Sequence, residues 1–281
     1  MKNIIILLFA FLALNSCQKE FKVDNSGYKP KLVVNNLFLQ NTPFAIVVSQ
    51  SVNVYDSTLP SYISNATVTL FVNNVFAETL TPAGTGNYNA TTIPSPGNTY
   101  KVKVSQSGFD AVEAENALPN PVKIIDWTYI DSTSVDSKGD YYGDLTFTIV
   151  DPPEENNYLL SFQFYDIGSG QYIYLSNFSS NDQSLNQNLA KRLQNGEYLF
   201  TDNLFNAKKK TFLLSIPSGH YTNTPNYLLK LYSLSKDAYF YYYSQPVNNN
   251  VGQFNTTPIY SNVKSGLGIF AGRSLDVDTI Q

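Results

Sequence analysis

His220 is the only histidine and Cys17 the only cysteine in the chain, which bounds its chemistry at once. A nucleophilic triad needs an imidazole beside a serine on a sharp turn, and no Gly-x-Ser-x-Gly elbow occurs. His220 sits between Pro217 and Pro225 among Gly, Thr and Asn, a stretch that reads as an exposed loop. One His and one Cys are too few ligands for zinc. Gly266, Gly268 and Gly272 could suggest a dinucleotide loop, but their spacing is out by a residue and no βαβ unit surrounds them. They read instead as a close-packed strand, since glycine lets backbones approach. Asp131, Asp136, Asp140 and Asp144 flank a Ser/Gly loop without the order of a calcium loop. Calcium stays a minor alternative there to a solvated inter-strand loop. Glu154 with Glu155, and Asp276 with Asp278, are acids too close in sequence to face each other across a glycosidic bond by themselves. The expectation is a protein without enzymatic activity and without a cofactor.

Tyr239, Phe240, Tyr241, Tyr242 and Tyr243 form an unbroken aromatic run. On a helix they cannot share one face, so some must be exposed or covered by a partner. Tyr239, Tyr241, Tyr242 and Tyr243 are therefore a candidate interaction surface, with core packing as the alternative. Against a glycan platform stands the single Trp. Lys208, Lys209 and Lys210 form a short basic run that reads as a solvated hairpin turn.

The composition behind these residues is poor in charge: charged residues make up 14% of the chain, against about a quarter in ordinary soluble domains. It holds 21 Tyr and 18 Phe. Aromatic and β-branched side chains suit the half-buried surface of a sheet. A net charge of −4 provides no basic stripe, so a nucleic-acid partner is not expected.

Residues 1–16 have the layout of a secretory signal: Lys2, an apolar run from Ile4 to Leu14, and Ser16 before Cys17. Leu14-Asn15-Ser16-Cys17 resembles the bacterial lipobox, whose cysteine is acylated and becomes the first mature residue. That would account for a lone cysteine in an exported protein. Acyl chains contribute roughly 0.8 kcal/mol per buried methylene, so several of them hold a membrane stably. Gln18, Lys19 and Glu20 resemble the export signal that sends lipoproteins of the Bacteroidota to the outer face of the outer membrane. Residues 17–29 read as a polar tether able to reach on the order of 40 Å.

From Lys31 onward, short apolar runs alternate with turn residues. Strands are expected at Lys31–Leu39, Phe44–Val52, Asn65–Val72, Val75–Leu80, Tyr100–Val104 and Ala111–Ala117, with Asn73-Asn74 as a two-residue hairpin turn. Residues 30–120 are read as an immunoglobulin-like antiparallel sandwich, bounded by Leu118-Pro119-Asn120-Pro121. Residues 121–281 are read as a second β-rich domain with one or two short helices. Its strand candidates are Val122–Tyr129, Asp144–Val150, Tyr158–Tyr165, Tyr172–Leu175, Tyr198–Thr201, Thr211–Ile216 and Tyr227–Tyr232. Asp182–Leu193 is expected to be helical, with Leu185, Leu189 and Leu193 four apart. Ser235–Gln245 is expected to be helical, with Ser235 as N-cap and Pro246 as the stop. The fold class is mainly β.

Several segments in order resemble a family of Bacteroidota lipoproteins known as domain of unknown function family 4249. They are Pro30–Asn35, Ala66–Leu70, Gly86–Tyr88, Gly97–Val102, Asp151–Tyr158, Leu199–Asn206, Leu231–Tyr239 and Ile259–Gly272. The chain departs from the pattern at Ala207, where the family tends to place glycine. The resemblance implies an N-terminal sandwich and a β-rich C-terminal domain, with no catalytic residues to carry over. It also implies genes beside outer-membrane TonB-dependent transporters. The functional expectation is an outer-membrane lipoprotein facing the cell surface, an accessory subunit of such a transporter or of another β-barrel complex. The alternative is a stand-alone binding module or adhesin for glycan, peptide or protein.

Overall fold

A computed structural model of the chain describes residues 27–53, 59–218, 227–246 and 258–280. Cys17, Gln18, Lys19, Glu20 and His220 lie outside the described residues. The strands of the first part are β1 (Leu32–Leu39), β2 (Ala45–Gln50), β3 (Thr67–Val72), β4 (Val75–Thr79), β5 (Thr81–Gly84), β6 (Asn87–Asn89), β7 (Thr99–Ser105) and β8 (Val112–Ala117). The second part holds β9 (Ile124–Val135), β10 (Tyr141–Val150), β11 (Asn157–Asp166), β12 (Gln171–Tyr174), β13 (Lys191–Arg192), β14 (Tyr198–Thr201), β15 (Lys209–Pro217) and β16 (Tyr227–Leu234). The helix α1 (Lys236–Ser244) and the long strand β17 (Leu267–Ile280) follow. The protein is mainly β, as its composition implies.

Alternation builds the first sandwich. On β3, Val68 and Leu70 point inward and Thr67 outward. Asn73 and Asn74 both hold positive φ, 50° and 67°, which closes the β3–β4 hairpin with the twist that flanking strands need. β4, β3, β7 and β8 form one sheet. The facing layer holds β5, β6, β2 and β1. Between the layers, Phe38 packs 4.8 Å from Phe270 and 5.1 Å from Phe44, which lies 5.1 Å from Tyr100. Burying each such ring contributes about 1.5–3 kcal/mol.

Phe270 belongs to β17, so the end of the chain completes this first core. β17 runs parallel to β1 from Val33↔Leu267 to Leu39↔Arg273. Gly268 permits the approach: its φ is +108°, and a Cβ there would lie 2.1 Å from the Val34 carbonyl oxygen. A Cβ on Gly272 would lie 2.4 Å from the Ala117 carbonyl oxygen. The glycine pattern is thus the close-packed strand expected from sequence. Beyond Arg273 the same strand pairs antiparallel with β16, from Leu234↔Arg273 to Tyr227↔Ile280. A ten-stranded sheet therefore runs through both parts of the molecule.

In the second part, β13, β14, β11 and β16 extend that sheet, with β12 paired to the far end of β11. β15, β10 and β9 cover one face of it. Phe147, Phe162, Phe200, Phe212 and Tyr227 fill the core between them. The opposite face carries α1 over Leu159, Leu199, Ile269 and Ala271.

Two expectations are corrected. Asp182–Leu193 is not an α-helix: a 3-10 turn spans Gln183–Leu185, and the chain then returns as β13. The reason lies in two side chains that take the backbone donors. Asp182 accepts from the Ser184 N–H, and Asn186 Oδ1 accepts from the N–H groups of Asn188 and Leu189. Leu185 is buried while Leu189 is exposed, so the four-residue spacing does not mark a common face. The basic run is also not merely a solvated turn. Lys209 opens β15, and the Lys210 ammonium lies 2.6 Å from the Asp182 carboxylate.

Candidate functional site

α1 begins where the sequence places it. The Ser235 hydroxyl accepts from the Ala238 N–H, and Asp237 lies in the first turn, where the helix dipole favours an anion. The Asp237 carboxylate is also the anchor of the helix. Oδ2 accepts from Asn116 at 2.6 Å and from Asn262 at 2.9 Å, and Oδ1 accepts from the Tyr260 hydroxyl at 2.5 Å. Asn116 in turn accepts from the Gly272 N–H, and Asn262 exchanges two hydrogen bonds with the Phe270 backbone. One carboxylate thus fixes α1 to β8 and to β17. Burial and the bond to Asp237 push the Tyr260 hydroxyl up to about 12.

At its other end, the Lys191 ammonium donates to the carbonyls of Tyr243 and Gln245, the second at 2.6 Å. A cation is favoured at a helix C-terminus. Burial lowers the Lys191 pKa, which reflects how far the ammonium is drawn out of water.

The aromatic run divides as a helix requires. Tyr241 and Tyr242 pack against the sheet cluster, and the Tyr242 hydroxyl accepts from Arg273 at 2.8 Å. Burial pushes that hydroxyl up to about 12, against the pull of Arg273. Tyr239 is half-buried and packs against the same cluster, while Phe240 and Tyr243 are exposed. The rings of Tyr239 and Tyr243, one helical turn apart, stack with centroids 5.9 Å apart and planes 23° from parallel.

Tyr239 and Phe240 form a ridge with a cleft on either side. The junction cleft, 870 Å³, runs between the Asn116–Lys123 connection, the Pro152–Asn157 loop and the start of α1. Pro119, Pro121 and Pro152 give it stiff walls, and Glu154, Glu155 and Lys236 charge its rim. The lateral cleft, 720 Å³, is lined by Tyr239, Phe240 and Tyr243 of α1 and by Gln187, Asn188 and Asn203 of other elements. Both volumes are those of ligand sites.

The remaining candidates are engaged in structure. Asp136 Oδ1 accepts from the N–H groups of Lys138 and Asp140, and these bonds hold its carboxyl below the usual range. Asp131 accepts from the Tyr129 hydroxyl at 3.1 Å. Among the described residues no three His, Cys, Asp or Glu side chains group so as to hold a metal ion. Asp276 pairs with the Lys123 ammonium at 2.6 Å and accepts from the Ile124 N–H. Burial, and then the charge of Asp276, push the Asp278 carboxyl up.

The sequence marks the tyrosines but not their setting. Gln187, Asn188 and Asn203 carry no signal in an Asn-rich chain, and the Asp237 anchor joins residues more than a hundred positions apart.

The architecture defines a class: a mainly β protein of two sandwiches joined by one continuous sheet, with a helix on its open face. The model of the family described as Domain of unknown function (DUF4249) matches residues 18–276. The chain belongs to that family. No curated protein matches the chain.

Proposed function

We propose that this protein is a non-enzymatic, lipid-anchored binding subunit of an outer-membrane complex, built around a β-barrel such as a TonB-dependent transporter. The observation that carries the reading is the α1 ridge, where Tyr239 and exposed Phe240 stand between two ligand-sized clefts and exposed Tyr243 lines the second of them. Exposed aromatic side chains with polar rims are the usual anchors of protein interfaces. The lipobox at Cys17 and the lysine-acid segment Gln18-Lys19-Glu20 support the anchor and the surface location. The stiff junction cleft suits an extracellular segment of the barrel. A second reading, a stand-alone module for glycan or peptide, draws support from the lateral cleft.

The test is a pull-down of the tagged full-length protein from native outer membranes in mild detergent, followed by mass spectrometry. The reading expects a barrel at equal stoichiometry, with less of it recovered by the Phe240→Ala variant. A lipoprotein that elutes alone rejects the complex and leaves the stand-alone module.

A further inference from the structure

We propose that the lateral cleft beside α1 binds a neutral saccharide. This deepens the binding-subunit reading and rests on it only for the premise that the chain binds a ligand.

A sugar ring has an apolar face of C–H groups and an edge of hydroxyls that both donate and accept. The cleft offers a counterpart to each. Tyr239, Phe240 and Tyr243 line it with aromatic surface, and of these Phe240 and Tyr243 are exposed, apolar bodies to which tyrosine adds a polar tip. Gln187, Asn188, Asn203 and Thr201, which belong to other elements than α1, also line it. Each amide carries both a donor and an acceptor, the pairing a hydroxyl needs. Gln187, Asn188 and Asn203 are exposed and lie on turns, so reaching a ligand requires no opening of the core.

Charge decides which sugars fit. No carboxylate lines the cleft. Its two cations are already held inside. The Lys191 ammonium donates to two carbonyls at the end of α1 and lies 5.2 Å from the Tyr243 ring centre. The Arg192 guanidinium donates to the carbonyls of Ser176 and Phe178 and stacks on the rings of Phe178 and Tyr198, at 4.5 and 4.1 Å. Each cation already spends donors on two carbonyls, so neither can be drawn fully onto a charged ligand without breaking those bonds. The wall left for recognition is amide, hydroxyl and aromatic, which selects an uncharged, hydroxyl-rich ligand with a flat apolar face.

The experiment is calorimetric titration of the full-length protein in a non-glycosidic detergent. The probes are maltohexaose, cellohexaose and mannohexaose, a galacturonic acid hexamer, and a Gly–Ser hexapeptide. At least one neutral hexasaccharide is expected to bind, and the acidic hexamer and the peptide are not. Tyr243→Ala and Asn188→Ala, on different elements, are each expected to weaken binding about tenfold, while Tyr243→Phe stays within about threefold. Asn188 is exposed on a turn, so its variant reads binding even if Tyr243→Ala unfolds the helix. Failure of all three neutral sugars to bind overturns the inference, as does binding unchanged in both alanine variants or binding of only the acidic hexamer or the peptide. A chain that co-purifies with a barrel but binds no neutral sugar overturns this inference alone. A chain that binds sugar without any barrel partner rejects the transporter reading and leaves this one standing.

Discussion

Ala207 holds φ at +60° in the turn before β15, in the left-handed region where a Cβ is crowded. Its N–H donates to Asp151 Oδ2 at 3.0 Å, so the turn cannot relax without losing that bond. Glycine adopts this region of backbone space without that crowding. Ala207→Gly is expected to raise the urea midpoint, with a gain of about 0.5–1 kcal/mol after the extra freedom of unfolded glycine is subtracted. The other oxygen of Asp151 accepts from the Tyr158 hydroxyl at 2.5 Å. Both partners are donors, so Asp151→Asn would turn an NH2 group toward one of them. Burial pushes the Asp151 carboxyl above its ordinary value, outweighing those two bonds. The folded chain therefore holds this proton more tightly than the unfolded chain. The resulting stabilisation is complete below the ordinary carboxylate pKa and is lost as pH rises through the raised value. Asp151→Asn resembles the protonated carboxyl and is thus expected to stand worst against wild type in acid, with wild type losing ground to the variant as pH rises toward neutral. Urea unfolding of both proteins across that range checks the sign, and a gap that widens with pH contradicts it.

α1 shows which local features a sequence carries. Its start at Ser235, its first-turn acid and its stop before Pro246 are all short-range signals, and the helix forms where they stand. The Asn73-Asn74 turn is legible for the same reason: two residues that tolerate positive φ sit between alternating strands. Residues 182–193 mislead because leucine spacing competes there with Asp182 and Asn186, whose side chains capture helix donors. What anchors α1 is not local at all. Asp237→Ala would take the carboxylate acceptor from the Asn116 amide and the Tyr260 hydroxyl and leave the Asn262 amide with only its bond to the Phe270 carbonyl. The expected loss is about 2–4 kcal/mol in thermal unfolding, with faster amide exchange concentrated in α1 and around Phe270 and Gly272. Faster exchange confined to the first turn of α1 would mean that Asp237 acts only through the helix dipole.

β17 carries the part of the architecture that no local pattern reveals. The glycines at 266–272 identify a close-packed strand, but its parallel partner β1 lies more than two hundred residues earlier. Register of that kind is fixed by long-range burial rather than by propensity. The consequence is a dependence of the first sandwich on the end of the chain. Without β17, β1 loses its parallel partner over Val33–Leu39 and keeps only β2 over Leu32–Asn35, and the core loses Phe270, which is fully buried against Phe38 and Phe44. Removing a buried phenylalanine side chain alone costs about 3–5 kcal/mol, a large share of the 5–15 kcal/mol by which domains are stable. A fragment of residues 27–121 is therefore expected not to fold. Joining residues 258–274 to its N-terminus through a flexible linker supplies the missing strand in the same chain and is expected to restore folding. Amide dispersion in NMR spectra separates the two chains: a collapsed spectrum for the short fragment and a dispersed one for the joined form. A dispersed spectrum from residues 27–121 alone would show that the first sandwich closes by itself and that β17 merely lies along its edge.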